Sequence, residues 1–196
     1  MKNHVYFLIF NGFADWEAAL ALCAIREQPS FKIMTVGFSK DPITSMGGLK
    51  VIPDITLNEL NIEDALIFIL PGGQLWEKFS DSQFTTLLHK LDSAGVIIAA
   101  ICAATLPLAQ AGLLQDRLHT SNSKEFLKEF VPDYAGETFY QDKLAITGSN
   151  LITASGIGSV DFAYEIMTAL SIYDESTTLA WLELFKHGLK PKTVSS

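Results

Sequence analysis

Short apolar runs alternate along this chain with stretches in which apolar residues recur every three or four positions. The first run, His4–Phe10, leads through Asn11-Gly12-Phe13-Ala14 into a predicted helix from about Asp15 to Glu27. Phe31–Gly37 reads as a second strand, Met46-Gly47-Gly48 as a turn, and the residues near Val51 as a short strand. Asp64–Leu70 holds a continuous apolar strand that stops at Pro71-Gly72-Gly73, and a helix is predicted over Ser82–Ala94. Val96–Ile101 is again short and partly β-branched, and it runs straight into an Ala- and Leu-rich helix over Ala103–Leu114.

Further on, Leu118–Ser121 reads as a short strand and Lys124–Phe130 as a helix. Leu144–Thr147 and Leu151–Ala154 flank Gly148-Ser149-Asn150 as a hairpin or a pair of short strands. Ser159–Leu170 is predicted as a helix capped by Ser159, and Glu175–His187 as a last helix with Leu179, Leu182 and Phe185 packing along one face.

Strands apolar on both faces and separated by helices imply a mostly parallel sheet covered on both sides. The expected class is α/β, a three-layer sandwich of flavodoxin-like or Rossmann-like type. One domain is expected over residues 1–173, with 174–196 as a helical extension of it. In such sheets, sites form at the carboxyl ends of strands. Three of those ends carry chemistry here: Asn11–Glu17, Leu70–Gly73 and Ile101–Thr105.

Two segments invite a membrane or export reading. The apolar run at the start covers only Val5–Phe10 before Asn11-Gly12 breaks it, too short for a signal peptide. Ala94–Gln115 has no charged residue, but Gly95, Thr105, Pro107, Gln110 and Gly112 interrupt it, which favours a buried strand and helix over a span. A cytoplasmic protein without membrane contact is expected.

Composition narrows the classes further. Lys and Arg number 14 against 22 Asp and Glu, a net charge of −8, and no basic patch is visible, so nucleic acid is not an expected partner. With 48% hydrophobic and 18% charged residues the chain is not disordered. Two cysteines cannot form a disulfide scaffold and suit a reducing compartment. No Cys/His spacing matches a structural zinc site, no phosphate-binding loop is present, and Gly156-Ile157-Gly158 is too short a signal for a nucleotide. No cofactor is expected.

The chemistry concentrates on Cys102, which sits where a buried strand turns into a helix. Ala100, Ala103 and Ala104 are small enough for the tight turn of a nucleophile elbow. A helix N-terminus beyond the turn would lower the thiol pKa, and the Ala103 N–H would be an oxyanion donor. Cys102 also fits a plain buried hydrophobe, the role read for mid-helix Cys23. Gly73 follows an apolar strand and can offer a second N–H donor, although an ordinary turn explains it equally. Glu17 lies in the first turn of the first helix, where the helix dipole alone favours an acid; aimed at Cys102, it would exchange a proton with the thiol. Asp15 is a candidate N-cap. His119 is the histidine close downstream of Cys102, a candidate base or a hydrogen-bonded structural residue.

Together these segments resemble the ThiJ/PfpI superfamily of class I glutamine amidotransferase-like proteins. The matching pieces are Phe13-Ala14-Asp15-Trp16-Glu17, Leu70-Pro71-Gly72-Gly73, Ala99-Ala100-Ile101-Cys102-Ala103, Asn150–Gly156 and Asp161-Phe162-Ala163, in family order across residues 4–172. The resemblance implies a flavodoxin-like, often homodimeric protein. It implies Cys102 as nucleophile, Glu17 as the acid at the thiol, and Gly73 and Ala103 as oxyanion donors. Two departures stand out. Ala103 occupies the position where the proteolytic branch has a histidine, and Ala104 replaces a usual glycine. Where relatives supply a histidine from the next strand, this chain places Ser121 or Asn122, with His119 slightly earlier.

The expected function is therefore a cysteine-dependent hydrolase or amidotransferase-like enzyme acting on a small carbonyl, amide or thioester substrate. The alternatives are a redox or stress sensor working through oxidation of Cys102, and a binding module using the same pocket.

Overall fold

The computed structural model describes residues 2–189. Seven strands form one sheet: β1 (His4–Leu8), β2 (Lys32–Gly37), β5 (Ile55–Thr56), β6 (Ala65–Leu70), β7 (Ile97–Ile101), β8 (Ala145–Gly148) and β9 (Leu151–Ala154). Their order is β5-β2-β1-β6-β7-β9-β8, and every pairing is parallel except the β8–β9 hairpin. A separate two-stranded arm, β3 (Ile43–Thr44) with β4 (Lys50–Val51), carries the turn at Gly47-Gly48.

Helices cover both faces, as the apolar strands require. Helices α1 (Asp15–Arg26), α5 (Ser159–Ala169) and α6 (Glu175–His187) pack as one group, while α2 (Ser82–Ser93), α3 (Thr105–Gln110) and α4 (Lys124–Phe130) form the other. The middle of the sheet is dry. Ile67, Phe68, Ile69 and Leu70 on β6 and Ile98–Ile101 on β7 are fully buried, and each large side chain among them stabilises the fold by roughly 1.5–3 kcal/mol. This is the expected three-layer α/β architecture of flavodoxin-like type.

After β1 the chain adds β2 on one side and later β6 on the other, so the order reverses between β1 and β6. Connections leave such a reversal point in opposite directions and open a crevice at the carboxyl ends of the strands. The neighbouring ends of β1, β6, β7 and β9 all face it.

Several local expectations are corrected. The segment after Cys102 is a 3-10 turn, Cys102–Ala104, followed by a helix of only 6 residues; a turn after Gln110 with Gly112 at φ 70° ends it well before Leu114. Leu118–Ser121 is not a strand: it makes one isolated bridge, His119 to Tyr140. Gly158 and Ala14, not Ser159 and Asp15, stand at the N-cap positions, and neither makes a side-chain cap. The Asp15 carboxylate instead accepts from the Ser45 hydroxyl at 2.6 Å and anchors the β3–β4 arm. On α6 the residue facing inward is Thr178, while Leu179 and Phe185 are each 49% exposed. Cys23 is exposed rather than packed. Among the described residues no helix is long and apolar enough to cross a membrane. Residues 190–196 of the expected tail lie outside the described residues.

Candidate active site

Cys102 follows directly on β7 with φ 60°, the left-handed region. A residue with a Cβ is strained there and stays only if its surroundings hold it. Two bonds do so. The Thr105 hydroxyl donates to the Cys102 carbonyl at 2.8 Å, and Ser121, 2.7 Å away, donates in turn to the Thr105 oxygen. Ala103 and Ala104 are buried beneath the turn, where a larger side chain would collide with the core. The elbow expected from the alanines is thus present.

Glu17 reaches the thiol from the neighbouring strand end. The β1–α1 loop is tied to the β6 loop by the Ala14 N–H donating to the Gly72 carbonyl at 3.0 Å. The Gly72 N–H donates to Glu17 Oε2 at 2.5 Å, and Gly72 lies between that carboxyl and Cys102. A Cβ on Gly72 would lie 2.7 Å from Cys102 Cβ and 2.8 Å from Glu17 Oε2, so only glycine fits between acid and thiol. Trp76 locks this loop from behind: it is fully buried and its indole N–H donates to the Pro71 carbonyl at 2.8 Å.

Burial dominates the electrostatics. Glu17 is only 2% exposed. Its loss of hydration pushes the carboxyl up to about 7, against the opposing pull of the Gly72 N–H and the thiol. Burial also pushes the Cys102 thiol up, and the nearby Glu17 charge adds to this; the Asn122 amide and the Ala103 N–H pull it down. The expectation of a thiol lowered by its helix is therefore corrected. Helix α3 is short, and desolvation outweighs its N–H groups.

The downstream segment resolves which residue meets the sulfur. Asn122 Nδ2 donates to Cys102 Sγ at 3.4 Å. Its Oδ1 accepts from the Gly156 N–H at 2.9 Å, which sets the amide with its donor toward the thiol. Gly156 follows β9, and a Cβ there would come within 2.9 Å of Cys102 Sγ. The fourth strand end thus closes the site. Ser121 is buried behind the elbow on Thr105.

His119 is elsewhere. It is fully buried, with Nδ1 2.8 Å from the Arg117 carbonyl and Nε2 2.5 Å from the Tyr134 hydroxyl. A carbonyl only accepts, so Nδ1 carries the proton and Nε2 accepts from Tyr134. Both nitrogens are engaged, and burial lowers the histidine pKa. His119 is not brought to Cys102, because the bridge to Tyr140 turns it into the core.

A pocket of about 190 Å3 opens over the thiol. Glu17, Gly73, Cys102, Ala103 and Asn122 line its floor with Ala14, while Trp16, Met46 and Phe126 form an apolar rim beside Gln74 and Glu77. Sequence reasoning missed the closing role of Gly156 and the rim. Gly156 carried the same signal as Gly72, a glycine shortly after an apolar strand; the rim residues carried none, because they come from four separate segments.

The model of the DJ-1/PfpI family matches residues 3–169. A Bacillus subtilis protein named an uncharacterized protease is 38% identical over 192 residues, 93% of this chain and 90% of the relative. A protein from Pyrococcus horikoshii named a deglycase is 30% identical over 118 residues, 60% of this chain and 70% of its own. The crystal structure of a ThiJ/PfpI family protein from Bacillus anthracis superposes with a TM-score of 0.90 at 34% identity, covering 96% of this chain and 92% of that one. Likeness of this extent in sequence and in fold places the chain in the DJ-1/PfpI family.

Proposed function

We propose that the protein is a cysteine-nucleophile enzyme acting on a small electrophilic carbonyl compound. The observation that carries this reading is the Glu17 carboxyl, standing beside Cys102 across Gly72 in one pocket and raised to about 7 by burial. A carboxyl with a pKa of about 7 is populated in both forms at physiological pH, so it can take the thiol proton and return it. Sγ then adds to the carbonyl carbon as the C=O π pair moves onto oxygen. Gly73 and Ala103 line the pocket beside the thiol, and their N–H groups are the donors assigned to the developing oxyanion. Glu17 supplies the proton that neutralises it.

The relatives' names support catalysis of this broad kind and point to different reactions: one is called a protease, the other a deglycase. Peptide hydrolysis is the less favoured of the two. No histidine lines the pocket, and Ala103 stands beside the nucleophile. Glu17 alone must then serve every proton transfer, which suits carbonyl addition better than expulsion of a basic amine. The test is turnover of wild type, Cys102→Ala and Glu17→Gln on a panel of aldehydes, thioesters and peptides. Turnover lost in both variants supports the reading, and equal behaviour of Cys102→Ala and wild type ends it.

A further inference from the structure

The pocket lining carries carboxylates and no positive side chain. Gln74 and Glu77 lie on a 3-10 helix, Gln74–Lys78, where side chains three apart eclipse one another and share a face. Trp76 points inward and is fully buried against Phe10 and Phe79, which fixes the helix rotation and leaves Gln74 and Glu77 on the pocket. The same pocket is lined by Trp16 and Met46, each 50% exposed, and by Phe126. No Lys, Arg or His lines the pocket. Among the described residues Glu77 has no ion-pair partner.

A substrate reaching Cys102 therefore passes a free carboxylate and aromatic faces, and meets no positive group. Aromatic faces attract cations and apolar groups. A carboxylate attracts cations and repels anions, within about 8–10 Å at ordinary salt. The net charge of −8 acts in the same direction at longer range.

We propose that Glu77, with Trp16 lining the same pocket, makes this pocket select carbonyl substrates that are apolar and uncharged or positively charged beside the reacting carbon. Phosphorylated sugars and oxo acids are rejected. Glu77 is thus a specificity-determining residue. The inference rests on Cys102 as the nucleophile, but its test does not require turnover.

The test labels Cys102 with methanethiosulfonates of matched size that are cationic, neutral or anionic. Cys23 is exposed and would react as well, so Cys23→Ser is the background. Rates are divided by those of a small free thiol. The expected cationic-to-anionic ratio is at least about tenfold above the free thiol, falling about fivefold in Glu77→Gln, inverting in Glu77→Lys, and shrinking at high salt. A ratio equal to the free thiol's, or one unchanged in Glu77→Gln, overturns the proposal. Loss of the difference in turnover between wild type and Cys102→Ala strikes the catalytic reading instead and leaves the labelling result standing.

Discussion

Glu17 and His119 are two buried titratable side chains with opposite situations. Glu17 is 2% exposed and His119 is not exposed at all. Burial favours the neutral form of each, raising the acid and lowering the base. They differ in what their polar atoms touch. His119 spends both nitrogens on Arg117 and Tyr134, so moving a proton would break a buried bond. Glu17 spends part of its carboxyl on Gly72 and stands beside the Cys102 side chain. A shifted pKa marks burial; only the contact separates a proton carrier from a structural bolt.

The sharpest way to break that contrast is Glu17→Gln, which keeps the shape and an acceptor for the Gly72 N–H but cannot give up or take a proton. Turnover on whichever panel substrate responds to Cys102 should fall by about 100-fold or more. Removing the charge should also lower the thiol pKa, read from alkylation rate against pH, because Glu17 raises it. Turnover that persists while the thiol pKa drops would reassign Glu17 to electrostatics alone.

Stability against pH separates the two residues next. The Glu17 carboxyl moves from 4.5 to about 7 on folding, so the folded state holds its proton more tightly. The benefit is complete below pH 4.5 and is lost as pH rises through 7, a swing of about 3 kcal/mol that Glu17→Gln should abolish. For His119 the sign reverses. Its pKa is lowered below 6.5, so the unfolded chain takes up protons first and stability falls as pH drops below 6.5. Denaturant melts across this range should show the two slopes opposed, each removed by its own variant.

His119→Asn keeps a donor for the Arg117 carbonyl and loses the Tyr134 bond. It should cost about 1–3 kcal/mol of stability and leave turnover within about twofold; a far larger fall in turnover at unchanged stability would restore His119 as a catalytic base. Asn122→Ala removes the amide donor to Sγ. The thiol pKa should rise, and alkylation at fixed neutral pH should slow about tenfold. Cys23→Ser, on an exposed helix face, should shift neither stability beyond about 0.5 kcal/mol nor turnover.

Much of the fold was legible because apolar periodicity and burial have one cause. The apolar strands read over Asp64–Leu70 and Val96–Ile101 are present as Ala65–Leu70 and Ile97–Ile101, in the middle of the sheet. Lys124–Phe130 and Glu175–His187 were bounded correctly, since the Ser123 and Asp174 side chains cap them locally. The elbow was legible too, because small residues around Cys102 leave little choice of turn. Leu118–Ser121 was misread: its alternation suits a strand, but no full partner strand lies beside it. The outward stripe of α6 was misread because three-residue spacing names a face without saying which way it turns.

By itself the sequence determined the class of fold, the elbow and the two glycine turns, all properties of local backbone and of one strand or helix at a time. The tertiary structure decided which groups meet. Glu17, Gly72, Cys102 and Gly156 lie on four strand ends that only the sheet order β1-β6-β7-β9 makes neighbours. Asn122 rather than His119 faces the sulfur because a single bridge to Tyr140 fixes the segment's rotation. The thiol came out raised rather than lowered because desolvation sums over everything packed around an atom, and no local stretch of chain contains that sum.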